Sequence, residues 1–318
     1  MGTSIVKRSR GATRTVLLLF YDVPWGLSLD VPSTPDITIS TDRNRYDDAD
    51  AVVFHPPEWT RARIRARRPW AWDLHPAKRP GQLWIASTIE CQDHYPIMRD
   101  VRFMRHFDLT MTYRRDCDVP ATYAIPHGSV PAMIAALRRP PPPKSADALL
   151  ATFISSAVDT SNRRAYLYEL AQYMAIDSYG TFMNNRALAS DAGRPSKLDA
   201  ISTYRFTAAF ENARAVDYVT EKFFDPLWAG SIPVYFGAPN VAAFAPGDHC
   251  YIDASDFPDP RQLAEHLRAI AGDDERYGRF FDWKQRPLRD SFLKLIETES
   301  RSPVERLCAL LRQRFRRP

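Results

Sequence analysis

Cysteine is scarce in this sequence. Cys91, Cys117, Cys250 and Cys308 are the only four in 318 residues, with no C-x-x-C pair and no histidine at zinc-ligand spacing. That excludes a disulfide framework or a structural zinc site as the organising device and predicts free thiols in a reducing compartment. Long apolar runs are missing too. TVLLLFYDV falls short of the roughly 20 residues a membrane span needs. KRSRGATR before it is like a signal n-region, but the run ends at Asp22 without a small-residue cleavage site, so it reads as a first strand. The chain is thus expected to be cytoplasmic, at most membrane-peripheral. Nor is there a strong excess of one charge: 43 Lys and Arg against 38 Asp and Glu give +5 and a pI near 9.0. Such a balance admits anionic partners without choosing one. A composition of 45% hydrophobic and 25% charged residues is that of a folded protein rather than a disordered one. The length allows two domains.

Proline, by contrast, is plentiful, and RRPPPPKSADA over 138–148 is the clearest punctuation in the chain. Four consecutive prolines cannot continue a helix or an interior strand, and they favour a stiff, extended connection. A boundary there gives domains 1–143 and 144–318; a long surface loop inside one domain is the other reading. Beyond the boundary, strands and helices alternate. LLATFIS, AIDSYG, YRFTAAF, SIPVYFG and CYID read as strands. RRAYLYELAQYM places Leu167, Leu170, Ala171 and Met174 on one helical face. TEKFFDPLWAG reads as a helix capped by Thr220 and stopped by Gly230, with Pro226 as a potential kink. DPRQLAEHLRAIAG carries Asp259 as cap, Pro260 at the first position, and Leu263, Leu267 and Ile270 as its buried stripe. Before the boundary, TVLLLFYD, DAVVFH and QLWIAST are strands of a smaller α/β domain. This α/β alternation argues for mostly parallel sheets that bind ligands beyond the carboxyl ends of their strands. The tail puts Val304, Leu307, Leu311 and Phe315 on one face and arginines around the rest. It is either a docked helix or one in weak contact with a membrane surface.

The stretch RFTAAFENARAVDYVTEKFFDPLWAGSIPVYFGAPN, 205–240, carries the chemistry. A helix starting near Thr220 offers free N–H groups and partial positive charge. Lys222 in its first turn opposes that dipole and is misplaced unless an anion binds. Glu221 suits the helix start and suits ribose hydroxyls. The pair suggests a nucleotide, although an ordinary surface pair has the same spacing. Arg163 or Arg164, at another helix start, has the fork geometry for phosphate.

The same stretch resembles the donor-binding signature of the α-1,3-fucosyltransferases: Y-K-F-x-x-A-F-E-N-S, then D-Y-[IV]-T-E-K, then A-G-x-[VI]-P-V-x-x-G. LTMTYRRDCDV is similar to the family's T-x-S-Y-R-R-D-S-D, LAQYMAIDSYG to its L-x-x-x-x-x-V-D-x-Y-G, and RPGQLWIASTIE to its acceptor-side strand ending in Glu. Ala213 and Cys117 stand where the family has Ser, and Glu90 is followed by CQDHYP rather than Ser-Pro. The resemblance implies a GT-B architecture, two Rossmann-like domains facing a cleft, with GDP-fucose held by the second. By analogy Glu221 would hold the ribose and Lys222 and Arg163 the diphosphate. Tyr218 would pack near the donor sugar, and Asn212 would order the loop. Glu90 would be the general base of an inverting transfer to N-acetylglucosamine in a lactosamine-type glycan. His55 would line the acceptor side or be a satisfied strand-end histidine. The resemblance implies no tightly bound cofactor, with a divalent cation as a stimulant not needed for the fold. A GT-B enzyme using another nucleotide sugar is the alternative. Nucleic-acid binding ranks below both, because the arginines are scattered among acids rather than striped with aromatics.

Overall fold

The computed structural model describes residues 15–29, 34–60, 76–124 and 129–316; the basic residues 7–14 and the last two residues of the tail lie outside them. Short strands, the central ones largely apolar, build two sheets. β1 (Val16–Phe20), β2 (Ile37–Ser40), β3 (Ala51–Phe54), β4 (Leu83–Thr88), β5 (Leu109–Thr112) and β6 (Val119–Pro120) form the first, in the order β2-β1-β3-β4-β5-β6. β7 (Leu150–Thr152), β8 (Ile176–Ser178), β9 (Phe206–Phe210), β10 (Ile232–Phe236) and β11 (Ile252–Asp253) form the second, in the order β11-β10-β9-β7-β8. All pairings are parallel. Parallel strands are covered on both faces, which is why VLLLF, AVVF, FTAAF and IPVYF are buried along their whole length.

Alternate residues of each strand feed different cores. In the first sheet Leu17, Leu19, Val52 and Phe54 pack with Trp59, Trp84 and Phe103. Leu18, Phe20, Val53 and Ile85 face the other way, onto Val304, Leu307 and Leu311. These last three belong to the C-terminal helix Pro303–Arg316. The docked reading of the tail therefore has a definite address: its apolar stripe lies on the first sheet and is not free to enter a membrane. In the second sheet Phe206, Phe210, Val234 and Phe236 pack with Leu167 and Leu170 and with Leu263, Leu267 and Ile270. Those side chains come from helices Arg163–Leu170 and Pro260–Ala271, on the faces the periodicity indicated. The opposite face joins helices Glu221–Ala229 and Asp290–Glu299. Met133 and Leu137 of helix Val130–Leu137 are buried in the same cluster. So a helix placed before the proline boundary packs with the second sheet, and a helix near the end of the chain packs with the first.

The proline run is not a free spacer. Gly230 has φ 75°, and a Cβ there would lie 2.9 Å from Pro141 Cα, so the run is laid against the end of helix Glu221–Ala229. Lys144 Nζ donates to the carbonyls of Ser202 and Gly230, and Lys284 Nζ to that of Leu137. Burial pushes both ammonium groups down to about 8. Helix Glu221–Ala229 starts and stops where the sequence suggests: Thr220 Oγ1 accepts from Lys222 N–H, and Gly230 adopts the left-handed stop. Pro226 stays within the helix, removing only the amide that would have met the Lys222 carbonyl.

Candidate active site

The site forms where loops after β4 and β5 meet loops after β9 and β10. On the donor side the first residue after β9 is Glu211, fully buried. Its carboxylate accepts from Thr220 N–H at 2.7 Å and Thr220 Oγ1 at 2.8 Å, tying the end of β9 to the start of the next helix. Gly237, just past β10, leaves room for it: a Cβ there would lie 2.6 Å from Glu211 Cγ. Lys222 Nζ stands 3.6 Å from Glu211 and 3.2 Å from Glu221, and it donates to Thr220 Oγ1 at 3.1 Å. Burial would lower the lysine's pKa, but the two carboxylates outweigh it and hold it above the ordinary value. For Glu211 burial wins and pushes the carboxyl up; for Glu221 burial is outweighed by Lys222 and Lys197, which hold it down. The misplaced first-turn lysine is thus compensated by anions of the protein itself, two carboxylates around one ammonium.

Arg163 lies beside this group, almost wholly buried, with Glu211 and Glu221 among the charges acting on it. Its fork donates to the carbonyls of Phe210, Ser156 and Val158. Only Nε is buried without a partner. Arg164 turns away, its guanidinium 4.6 Å from the Phe182 ring. At the start of this helix the Asp159 carboxylate accepts the N–H groups of Arg163 and Arg164, so the protein's own anion fills that helix terminus. Asn212 orders its loop through its carbonyl, which accepts from Thr160 and Ser161 N–H and from the His94 ring at 3.3 Å. Its side-chain oxygen is buried without a partner.

Tyr218 is 4% exposed and sits in the seam between the domains rather than on an open wall. Its ring meets Tyr113, Tyr123 and His94 edge-on at 5.1, 6.1 and 6.3 Å. Glu90 follows β4 on the facing side, its N–H donating to Thr88 Oγ1 at 3.0 Å. Tyr123, whose hydroxyl donates to Ile89 carbonyl, is pushed well up, first by burial and then by Glu90, Glu221 and Glu211. Carboxylates of both domains therefore converge on one phenol. His55, after β3, is fully buried; its Nδ1 donates to Ser87 carbonyl and its ring meets Trp25 at 4.7 Å. It is enclosed on all sides and opens onto no surface. Sequence reasoning passed over Glu211 and His94. For Glu211 a signal existed, a lone carboxylate closing a fully apolar strand; for His94 there was none.

Two sheets of parallel strands, joined through a seam of the loops that follow them, make a two-domain α/β architecture of the GT-B kind. A solved α1,3-fucosyltransferase superposes with a TM-score of 0.56 at 15% identity, covering 96% of this chain and 91% of that one. Another, solved with GDP, gives 0.52 at 15% identity over 87% and 84%. Residues 143–317 match the description "Glycosyltransferase family 10 (fucosyltransferase) C-term", and residues 13–124 match "Fucosyltransferase, N-terminal". The chain belongs to glycosyltransferase family 10, the fucosyltransferases. It is 35% identical over 190 residues to the Bos taurus GDP-fucose protein O-fucosyltransferase 3, covering 56% of this chain and 39% of that protein. It is 33% identical over 241 residues to a putative fucosyltransferase-like protein of Arabidopsis thaliana, covering 75% and 45%. To α-(1,3)-fucosyltransferase B of Drosophila melanogaster it is 31% identical over 247 residues, covering 68% and 54%. The matched part spans only 39–54% of the length of these relatives. Among the described residues no helix is long and apolar enough to cross a membrane.

Proposed function

We propose that the chain transfers L-fucose from GDP-β-L-fucose, with inversion, to a hydroxyl of N-acetylglucosamine in a lactosamine-type glycan, through an α-1,3 bond with α-1,4 as the variant. The observation that carries this is the group of Lys222 with Glu211 and Glu221, at 3.6 and 3.2 Å, at the start of helix Glu221–Ala229, within a chain of the fucosyltransferase family. The acceptor oxygen attacks the anomeric carbon from the face opposite GDP. The bond to the diphosphate breaks as the new C–O bond forms, and Glu90 takes the hydroxyl proton. Lys222, Arg163 and the start of helix Glu221–Ala229 stabilise the charge that develops on the leaving diphosphate, while Glu221 accepts from the ribose. Tyr218 and Asn212 hold the donor loop in shape, and His55 backs the acceptor face.

A second acceptor reading has its own observation: relatives named GDP-fucose protein O-fucosyltransferase 3, whose name puts the hydroxyl on a protein. Calorimetric titration with GDP-fucose, with GDP-mannose and UDP-galactose as controls, tests the donor first. Binding of the GDP compounds and not of UDP-galactose supports the reading. Absence of GDP-fucose binding sinks it, and preference for another nucleotide sugar replaces the donor. Transfer to free lactosamine against transfer to a folded protein acceptor then separates the two acceptors.

A further inference from the structure

Two of the stretches that carry the family resemblance, YRRDCDV and DYVTEK, are bonded to each other across the seam. Asp217 Oδ1 accepts from Arg115 Nε at 2.8 Å, and Oδ2 accepts from the Arg115 backbone N–H at 3.1 Å. From its own domain, Asn240 Nδ2 donates to Asp217 Oδ1 at 2.9 Å while Asn240 Oδ1 accepts from Asp217 N–H at 2.9 Å. The Arg115 guanidinium lies 4.8 Å from the Phe244 ring, also of the second domain. Asp217 is 5% exposed and has φ 67°, a left-handed conformation in a residue with a side chain. That conformation is costly for an ordinary residue and is tolerated by Asp when its short carboxylate bonds nearby groups. Here both carboxylate oxygens are engaged from the facing domain. The chain then runs straight into Tyr218, the Thr220 cap, Glu221 and Lys222.

We infer that Arg115 is a positioning residue for the donor site: it locks the turn at Asp217, and so sets where Glu221 and Lys222 stand relative to Glu90. The inference rests on the fucosyl-transfer reading. Small displacements of reacting groups are expensive, since about 1 Å of misplacement can cost a hundredfold in rate. The latch joins the domain bearing the base to the loop bearing the donor ligands, beside the His94–Asn212 contact described above.

The test compares wild type with Arg115→Met, Asp217→Ala and the double variant. Arg115→Met keeps a stem on Phe244 and removes the Nε donor. Initial rates are measured against varied GDP-fucose and varied acceptor, with the melting temperature of each protein. We expect each single variant to lower kcat about tenfold or more with acceptor KM nearly unchanged, the melting temperature to hold in Arg115→Met and to fall in Asp217→Ala, which loses the bonds that offset its left-handed φ, and the double to be no worse than the worse single. Asp217→Asn does not rescue, because one of its amide positions would turn a donor toward an N–H. If Asp217→Ala does not fold, Asp217→Gly, which accepts the left-handed φ and lacks the carboxylate, stands in for it. Unchanged kcat, a loss in Arg115→Met that follows the melting temperature, or effects that multiply in the double variant would each overturn the latch. A wild type that fails to bind GDP-fucose overturns the fucosyl-transfer reading itself. An active wild type with unaffected variants overturns the latch alone.

Discussion

The two sides of the seam are built from different material. The second sheet ends in charge: Glu211 and Arg163 are fully buried, and Lys222 pairs with Glu211 behind it and with the half-exposed Glu221 beside it. The first sheet ends in rings: Trp25 meets His55 and Tyr95, Tyr113 and Tyr123 stand against Tyr218, and Glu90 is the one carboxylate we assign to chemistry there. Buried charges that compensate one another are fixed in place before any ligand arrives, because displacing one strands the rest in low dielectric. Ring edges pack without such exacting partners and tolerate change. A donor common to a family suits the first kind of surface, and acceptors that differ within it suit the second.

The largest expected effect breaks the comparison at its packing. Leu307 is fully buried on the first sheet, so Leu307→Ala should cost about 3 kcal/mol. It should do so in the acceptor half: denaturant-induced loss of transfer should come earlier while GDP-fucose affinity in buffer holds. Weakened affinity instead would put the helix energetically with the donor half. Next, Glu90→Gln should lower turnover about a hundredfold or more with calorimetric GDP-fucose binding intact; undiminished turnover removes Glu90 from the mechanism. Lys222→Ala should do the reverse and weaken GDP binding about tenfold, the scale of a hydrogen bond to a charged group. Equal affinity for both proteins would mean that the ammonium serves only Glu211 and Glu221.

The smallest effect is a pH dependence specific to the second half. Lys144 and Lys284 are pushed to about 8 by burial, below their ordinary 10.5. Between these values the unfolded chain binds more protons than the folded one, so stability rises with pH, by on the order of 1 kcal/mol from pH 7.5 to 9. Above about 9 the buried thiols oppose the trend, since Cys91 and Cys250 are pushed up to about 11 and about 12. Melting temperatures across pH 7.5–9 read this directly, and Lys284→Met should flatten the rise. A fall over that range contradicts the assignment.

Legibility follows the same division. The second half could be read because its signals are local: apolar runs for β9 and β10, caps at Thr220 and Asp259, a lysine out of place in a first turn. β2 and β5 were not read as strands, since Ile37–Ser40 and Leu109–Thr112 are four residues each and mix Thr and Ser with apolar positions. The site's ligands were legible as residues, but their state was not. Nothing near Lys222 says that Glu211 stands behind it, and nothing near Tyr218 says that it is buried. Arg115 and Asp217 lie 102 positions apart, a separation over which no periodicity or cap carries information. The seam is a product of tertiary placement and becomes readable only there.

The helix that closes the first sheet is also late in time. A ribosome adding about 5–20 residues per second needs roughly ten to forty seconds between finishing β6 at Pro120 and finishing the turn at Pro303, where that helix begins. During that interval Leu18, Phe20, Val53 and Ile85 have no lid, and the nascent first domain carries an apolar face into a crowded solution. Nascent chains of this protein should therefore lean on chaperones until helix Pro303–Arg316 has been made, and fragments ending at the proline run should aggregate unless the missing helix is supplied as a separate peptide.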